Sequence, residues 1–263
     1  MWLRNLNPEQ QVAVQHAEGP MLILAGAGSG KTTVLVSRTG FLIDRHQVDP
    51  RRILALTFTN KAARELKERV HVKLGDRAEY LRAGTFHSFG VYLLRMFHQE
   101  AGLSKYFGII DQNDAQSLIK ELLKDLKYPG KDSFDAETLL NNISDWREQG
   151  QTKAKSFGKQ PEEYETVTEW LLPRYVKKLE NLGVVDFDSL ILKPVELIQT
   201  HAEIKKKVAG LFDQIMIDEF QDTNMGQMNL VKELVIQHKN ITVVGDDDQS
   251  IYCLLYTSDA ADE

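Results

Sequence analysis

The sequence contains a single cysteine, Cys253, and no apolar run that reaches the roughly 18 residues of a membrane-spanning helix. A lone thiol excludes a disulfide within the chain, which suits a reducing compartment. The first residues, MWLRNLNPEQQ, lack the apolar core of a signal peptide. We therefore expect a soluble cytoplasmic protein with no membrane partner.

The chain also has no net positive charge. The formal net charge of −6 argues against a broadly basic coat for nucleic acid. The charge is uneven, however, because residues 51–73 hold seven Lys or Arg against two Glu, a local net charge of +5. Such a stretch is typical of a solvated helix face, and a phosphate-binding surface is the alternative.

The chain has 263 residues, of which 42% are hydrophobic, enough to bury a sizeable core as one large domain or two smaller ones. Short apolar runs followed at once by Gly, polar or acidic residues indicate buried parallel strands. Four segments start with such a run, namely 21–33, 52–63, 214–222 and 241–250. Helical patterns follow the first two, so the sequence predicts an α/β fold with a parallel sheet. Ligands of such sheets bind at the carboxyl ends of the strands, where we expect the polar clusters to converge.

The residues from about Ser104 to Val185 show no buried-strand pattern. They are typical of amphipathic helices separated by turns rich in Gly, Pro and Lys. We therefore predict an all-helical insertion in the α/β domain. The predicted boundaries are 1–107 for the first part of the α/β domain, 108–191 for the insertion and 192–252 for the second part.

The segment AGAGSGKTT, residues 25–33, joins the first strand to a helix. Glycines let backbone amides curve around phosphate oxygens, and a helix N-terminus adds partial positive charge. We expect Lys31 to reach the β and γ phosphates of a nucleotide and the Thr32 hydroxyl to ligate Mg²⁺. The general P-loop pattern has Gly where this chain has Ala25, and a Gly-rich turn beside a chance Lys-Thr pair is the alternative. The predicted phosphate-loop residues are Ala25, Gly26, Ala27, Gly28, Ser29, Gly30, Lys31, Thr32 and Thr33.

Two adjacent acids, Asp218 and Glu219, follow the third apolar run. In an NTPase the first acid holds Mg²⁺, directly or through water, and the second orients and deprotonates the attacking water. Neighbouring residues on an extended chain point in different directions, which would let each acid serve one role. A solvated strand end is the alternative for the pair alone.

The fourth run ends in GDDDQS, residues 245–250. We expect Gln249 to reach the γ-phosphate or the attacking water, as a water-positioning Gln does in other NTPases. A turn rich in Asx caps is the alternative for Asp246, Asp247 and Asp248. The predicted catalytic set is Lys31, Glu219 and Gln249.

Taken in order, these motifs resemble those of the superfamily 1 DNA helicases of the UvrD/Rep/PcrA group. LNPEQQVAV at 6–14 is similar to the adenine-reading glutamine motif, with Gln10 at the Gln position. The phosphate loop resembles motif I, in which Ala is common at the position of Ala25. The remaining matches are ALTFTNKAARELKERV (55–70) to motif Ia, GTFHSFG (84–90) to motif Ib, DEFQD (218–222) to motif II, VVGDDDQSIY (243–252) to the start of motif III, and VVDFDSL (184–190) to the return from the insertion.

The resemblance implies a RecA-like P-loop NTPase domain that carries a helical insertion. It also implies ATP and Mg²⁺ as cofactors, single-stranded DNA and single-strand/duplex junctions as partners, and translocation from 3′ to 5′. The residues that it places on the DNA track are Thr57, Phe58, Thr59, Asn60, Thr85, Phe86 and His87. Exposed aromatic rings suit sequence-independent binding, because every base offers a face for stacking. Core packing is the alternative for Phe58, Phe86 and Phe89, and an ordinary histidine is the alternative for His87.

The family also implies a second RecA-like domain, which supplies arginine fingers and an aromatic ring that stacks on adenine. Its motifs are absent from these 263 residues. An arginine finger contributes about 10³–10⁵ in rate. We therefore expect this chain by itself to hydrolyse ATP poorly and to unwind no duplex. A stand-alone nucleotide- and DNA-binding module and the motor half of a helicase–nuclease are the alternatives for its function.

The last residues depart from the family pattern. After Tyr252 the family continues with Ser-Trp-Arg-Gly, whereas this chain has CLLYTSDAADE at 253–263. That segment resembles one translated frame of a transposon-end adapter used in preparing sequencing libraries. We hypothesise that it is read-through of such an adapter. The sequence leaves the pathway and the protein partners unknown.

Overall fold

A computed structural model of the chain describes residues 2–26, 28–128, 133–153 and 163–246. The strands are β1 (Met21–Leu24), β2 (Ile53–Thr57), β3 (Arg82–Thr85), β4 (Gly108–Ile109), β5 (Val184–Val185), β6 (Gln214–Ile217) and β7 (Ile241–Gly245). The α-helices are α1 (Pro8–Gln15), α2 (Lys31–Arg45), α3 (Asn60–Leu74), α4 (Phe86–Met96), α5 (Gln112–Leu123), α6 (Ala136–Glu148), α7 (Glu163–Leu182), α8 (Ser189–Thr200), α9 (Ala202–Ala209) and α10 (Met225–Val235).

The chain forms two compact units. The first comprises Met1–Phe89 with Ile198–Glu263, and the second is Gly90–Leu197. The boundaries between the units fall within α4 and α8. The domain limits inferred from sequence, at 107/108 and 191/192, stay a prediction. None of the helices in the described ranges combines the length and the apolar character that a membrane crossing requires.

The first unit contains a sheet of five parallel strands in the order β1-β7-β6-β2-β3. Strands β2 and β6 are buried along their whole length, which explains their continuous apolar sequence. The four predicted strands are all present, and the α/β parallel-sheet fold is confirmed. Strand β3 was not predicted, because its sequence, RAGT, lacks an apolar run. It adds to the edge of β2 in the register Leu54 with Arg82 and Thr57 with Thr85.

Helices α2 and α3 pack with the sheet to form the core of the first unit. The apolar stripe of α2 includes Leu35 and Leu42, and that of α3 includes Leu66 and Val70. These side chains meet residues of the central strands, such as Met216. Both helices occupy the segments that the periodicity predicted. Burial of these stripes therefore orients both helix N-termini relative to the strand ends.

The second unit has its own core, built from α5, α6 and α7. Buried side chains from all three helices meet in it, among them Ile119, Leu139, Ile143, Leu171 and Tyr175. The helices occupy the segments in which amphipathic patterns were found. The two-residue strands β4 and β5 also pair in parallel here, a detail too short for the periodicity to indicate. The predicted helical insertion thus has a core that is independent of the sheet.

A buried carboxylate lies at the centre of a hydrogen-bond network in the second unit. Asp186 accepts bonds from Arg147 Nη1 at 2.7 Å and from the Tyr175 hydroxyl at 2.9 Å. Its other oxygen accepts from the backbone N and the hydroxyl of Ser189 at 2.9 and 2.5 Å. Burial opposes the ionisation of Asp186, but Arg147 and Ser189 outweigh it and lower the pKa of the carboxyl below its ordinary value.

Candidate active site

The polar residues that follow the strands of the first unit meet at one edge of the sheet, because all five strands are parallel. Asp218 N donates to Leu56 O over 2.9 Å, which joins the end of β6 to β2. Ala25 N donates to Gly245 O over 3.0 Å, which joins the start of the phosphate loop to the end of β7. The predicted convergence of these segments is therefore what the fold produces.

The phosphate loop curves tightly before α2. Gly28 and Gly30 have φ values of 75° and 87°, in the left-handed region that favours glycine. Both the backbone N and the hydroxyl of Ser29 donate to Gly26 O, at 3.2 and 2.6 Å. A Cβ added to Gly26 or Gly28 would meet nothing within 4 Å, so space is open beside the loop. This cradle fits phosphate at a helix N-terminus. Ala27 lies outside the described residues.

Gln10 connects helix α1 to the phosphate loop. Its Oε1 accepts from Asn7 N at 3.0 Å as part of a capping box, and its Nε2 donates to Ser29 O at 2.9 Å. A cavity of about 260 Å³ lies beside it. The cavity is lined by Asn7, Glu9, Gln10, Ala13, Ile23, Leu24, Ala25, Ser29, Lys31 and Val34. Its apolar walls and side-chain amides suit a planar base, and the adenine-reading role of Gln10 stays a prediction.

A second cavity, of about 330 Å³, contains the predicted metal-binding groups. It is lined by Thr32, Thr57, Phe58, Thr59, Ala62, Asp218, Glu219, Gln221 and Asp222. The Thr32 hydroxyl and the Asp218 carboxylate are hard oxygen donors, which Mg²⁺ prefers. Within the described ranges no group of three His, Cys, Asp or Glu side chains could hold a metal ion. Mg²⁺ in an NTPase needs no such cluster, because substrate phosphates and water complete its shell. The residues therefore fit Mg²⁺. Thr33, the last residue predicted for the phosphate loop, is exposed in the first turn of α2, next to Thr32.

Asp218 is a buried acid whose charged form a bound cation would stabilise. Burial, and then the neighbouring charge of Glu219, raise the pKa of Asp218 to about 6. A bound divalent ion would favour the charged carboxylate and reverse this shift. The perturbed pKa of a buried acid lining a cavity is typical of a functional site.

Glu219 departs from the extended conformation that the sequence interpretation assumed. Its φ and ψ are 53° and 48°, a left-handed conformation that is strained for a residue other than glycine. The Glu219 N–H donates to Asp218 Oδ1 at 3.1 Å. Strain of this kind persists only where the surrounding structure enforces it. The turn, rather than strand alternation, separates the two carboxylates.

Lys31 connects the phosphate loop to the acids. Its Nζ lies 3.3 Å from Glu219 Oε2 and 3.7 Å from Asp246 Oδ2. The Lys31 and Asp246 side chains are almost buried, so solvent screens this pair weakly, whereas the Glu219 side chain is 39% exposed. Two of the three predicted catalytic groups, Lys31 and Glu219, are therefore in contact. The third, Gln249, lies outside the described residues, as do Asp247 and Asp248.

Two buried polar side chains were missed by the sequence interpretation. Gln221 bonds Glu219 Oε2 and the N–H of Asp246. Arg38 lies among the apolar residues of α2 and donates to the carbonyls of Ala13 and His16, at the end of α1. Burial lowers the pKa of Arg38 to about 10. Each had a signal in the sequence, since Gln221 stands inside DEFQD and Arg38 is a cation within a buried helical stripe.

The two loops predicted to bind DNA differ in exposure. Phe58 is 54% exposed, so its ring is available for stacking. Thr57 is buried and donates to Thr59 O at 2.9 Å, while the Thr59 hydroxyl caps α3 by accepting from Ala62 N at 3.1 Å. Asn60 is exposed in the first turn of α3. In this loop the aromatic ring and Asn60 face solvent, and the threonines organise the turn.

In the second loop Phe86 is only 4% exposed, so its ring is not presented to a base in this conformation. Thr85 accepts from Ser88 N at 3.2 Å and stabilises the start of α4. His87 is partly exposed. Phe89 packs edge-to-face against Phe212, with ring centroids 5.8 Å apart. Core packing, the alternative given for Phe89, is therefore what the structure shows for this residue. DNA contacts by Thr85, Phe86 and His87 stay predictions.

The basic stretch 51–73 is partly neutralised by an acid outside it, because Arg52 bonds Asp213. Within the stretch Arg69 bonds Glu65, and Arg64 lies 3.8 Å from Glu68, but both glutamates are already part of the net charge of +5. Lys61 and Lys67 are exposed on α3, which begins next to Phe58. The local charge of this surface is therefore weaker than the residue count indicates, because Asp213 lies outside the counted stretch, while Lys61 is exposed close to Phe58 in sequence.

Comparison with known proteins agrees with this geometry. A family model described as the UvrD/REP helicase N-terminal domain matches residues 6–255, three residues beyond Tyr252. The chain is 41% identical over 250 residues to the ATP-dependent DNA helicase PcrA of Staphylococcus aureus (strain Mu50), and this match covers 95% of the chain and 34% of the relative. The chain is 39% identical to the protein of the same name from Staphylococcus epidermidis (strain RP62A), and this match again covers 95% of the chain and 34% of the relative. The chain thus spans about a third of the length of these curated relatives. It belongs to the UvrD/REP helicase family, whose N-terminal domain it carries.

Proposed function

We propose that the chain is the nucleotide-binding and DNA-contacting part of an ATP-dependent DNA helicase. In this proposal ATP hydrolysis drives translocation along single-stranded DNA from 3′ to 5′. The observation that carries it is the contact of Lys31 with Glu219 and Asp246 at the strand ends, beside the glycine cradle. The name of the staphylococcal relatives supports ATP dependence and a DNA substrate. The direction rests on the family resemblance alone.

The nucleotide would bind with its phosphates against the loop 25–30 and the N-terminus of α2. Lys31 would contact the β and γ phosphates, and Thr32 and Asp218 would hold Mg²⁺. When bound, the ion neutralises charge on the phosphate oxygens. Gln10, which donates to Ser29 O of the loop, would orient a base in the neighbouring cavity. These roles are proposed for residues that line two cavities of one unit.

Glu219 would accept the proton of the attacking water. Its carboxylate lies beside Lys31, so phosphate that binds Lys31 would replace the carboxylate as the partner of the ammonium. The carboxylate would then be free to bond water next to the γ-phosphate. We propose Gln249 as a second water- or phosphate-contacting group, on its sequence position alone.

Single-stranded DNA would lie across the loop that contains Phe58. The exposed ring supports stacking of one base, and the cations of α3 support contacts with the phosphate backbone. Asn60, Thr59 and His87 are proposed as further contacts on this track. Single-strand/duplex junctions are the proposed substrate of the complete helicase.

The decisive test compares ATP hydrolysis by the purified chain and by its Glu219→Gln variant under single-turnover conditions. We expect slow hydrolysis that the variant abolishes while nucleotide binding is retained. We also expect no strand displacement by the 263-residue chain, whether the duplex has a 3′ or a 5′ tail. A fast, DNA-stimulated rate would refute the proposal that this chain alone is inefficient. Hydrolysis by Glu219→Gln at the rate of the unchanged chain would refute the assigned site.

A further inference from the structure

Gln221 is a buried amide between the two acidic segments of the site. Its side chain is in the turn that follows Glu219, and the residue is only 2% exposed. Its Nε2 donates to Glu219 Oε2 at 2.8 Å, and its Oε1 accepts from Asp246 N at 3.1 Å. A primary amide suits this place, because one end must donate and the other must accept.

The fold brings the end of β7 very close to this amide. A Cβ added to Gly245 would lie 3.2 Å from Gln221 Oε1 and 3.7 Å from Phe220 Cβ. The Asp246 N–H is itself buried, so it needs an acceptor within the protein. Gln221 provides that acceptor and is thereby held by the main chain of β7.

The donor end of the amide determines how the Glu219 carboxylate is held. Lys31 Nζ contacts the same oxygen, Oε2, at 3.3 Å. If phosphate took Lys31 away, the Gln221 bond would still hold Oε2. The carboxylate of Glu219, a residue that lines the cavity with Thr32 and Asp218, would then keep a constant position.

We propose that Gln221 is a positioning residue for ATP hydrolysis. It fixes the Glu219 carboxylate to the main chain at the end of β7, so that one carboxylate oxygen stays directed at the attacking water. This inference rests on the proposed function, because it acts through Glu219 as the group that activates water. The left-handed backbone of Glu219 supports it, since a strained turn needs side-chain contacts that hold it.

Replacement of Gln221 by Met tests the proposal, because Met has a similar shape and removes both hydrogen bonds. We expect the single-turnover rate of ATP hydrolysis at saturating ATP and Mg²⁺ to fall about 10- to 100-fold, as misplacement of a reacting group does. The affinity for ADP should change less than about twofold, because within the described residues the side-chain hydrogen bonds of Gln221 run to Glu219 and the Asp246 N–H and not to the phosphate loop. A second readout needs no turnover. The affinity for ADP with aluminium fluoride, relative to that for ADP alone, should fall by a similar factor.

A double-mutant cycle separates positioning from general structural support. In the Glu219→Gln background, Gln221→Met should change the rate and the relative affinity for aluminium fluoride by less than about twofold. Gln214→Met is the matched control, because Gln214 is also buried but begins β6, at the opposite end of that strand from Asp218. This control should leave both readouts unchanged.

Two results would overturn the inference. One is an unchanged rate and an unchanged aluminium fluoride affinity in Gln221→Met. The other is an equal loss in the presence and in the absence of the Glu219 carboxylate. Failure of the proposed function would look different, because Glu219→Gln itself would then leave hydrolysis and aluminium fluoride binding unaffected.

Discussion

The Lys31 ammonium lies 3.3 Å from Glu219 Oε2, so the cation of the phosphate loop contacts the acid that follows β6. The two residues are 188 positions apart in the chain. They meet because β1 and β6 are parallel strands of one sheet, with β7 between them. In the proposed function, nucleotide phosphate would therefore compete with the Glu219 carboxylate for one ammonium group.

Replacement of Lys31 by Ala should weaken nucleotide binding. A hydrogen bond to a charged group contributes about 1.5–3 kcal/mol, which corresponds to a loss of affinity of roughly 10- to 100-fold. Titration calorimetry with ATP and Mg²⁺ measures the change. Lys67→Ala is the control, because Lys67 is exposed on α3, outside both cavities. Equal weakening by both substitutions would contradict a specific contact between Lys31 and phosphate.

Glu219→Gln should separate binding from hydrolysis. General base catalysis contributes about 10²–10⁴ in rate, so we expect at least a 100-fold loss in the single-turnover rate. ATP affinity should stay equal or increase, because the neutral amide competes less well for Lys31. Quenched-flow or manual sampling with labelled ATP gives the rate, and calorimetry gives the affinity. If this variant lost binding as severely as Lys31→Ala, the distinct roles assigned to the two residues would be wrong.

Phe58→Ala should weaken the binding of single-stranded DNA. Stacking of a base on an aromatic ring contributes about 1–3 kcal/mol, so we expect a loss of affinity of roughly 5- to 150-fold at constant salt concentration. Fluorescence anisotropy with a labelled oligothymidylate measures it. Phe187→Ala is the matched control, because that ring is 51% exposed in the second unit. If Phe58→Ala bound single-stranded DNA as tightly as the unchanged chain, the proposed contact between Phe58 and DNA would be wrong.

Asp186→Asn should destabilise the second unit. It removes the charge that compensates the largely buried Arg147, and breaking a buried ion pair in this way costs about 3–5 kcal/mol. Urea unfolding followed by circular dichroism measures the free energy of unfolding. Asp188→Asn is the control, because Asp188 is more exposed and lies 3.7 Å from Arg147. A similar change in both variants would contradict the central role of Asp186.

The same carboxylate predicts a direction of pH dependence. The folded-state pKa of Asp186 lies below its ordinary value of 3.8. Its contribution to stability is therefore complete above that value and is lost as the pH falls through the folded-state pKa. The stability difference between the unchanged chain and Asp186→Asn should be constant from pH 7 to 5 and should shrink toward pH 3. A difference that grew on acidification would have the wrong sign.

The strands and the glycine turn before α2 were predictable because their signals are local. A buried parallel strand requires a continuous apolar run, and a phosphate loop requires glycines followed by Lys and Thr. Strand β3 escaped prediction because its place at the edge of β2 is decided by pairing rather than by its own composition. The charge of residues 51–73 was overestimated because Asp213, a partner of Arg52, is far away in sequence.

The sequence by itself determined the α/β class, the helical insertion and the residue types of the site, since periodicity and motif spacing encode them. Only the tertiary structure decided how these groups meet. It buries Phe86 and exposes Phe58, turns Glu219 into a left-handed conformation, and places Gln221 between Glu219 and Asp246. The physical reason is that burial and hydrogen-bond pairing depend on segments from distant parts of the chain, whose approach is fixed by the register of the whole sheet.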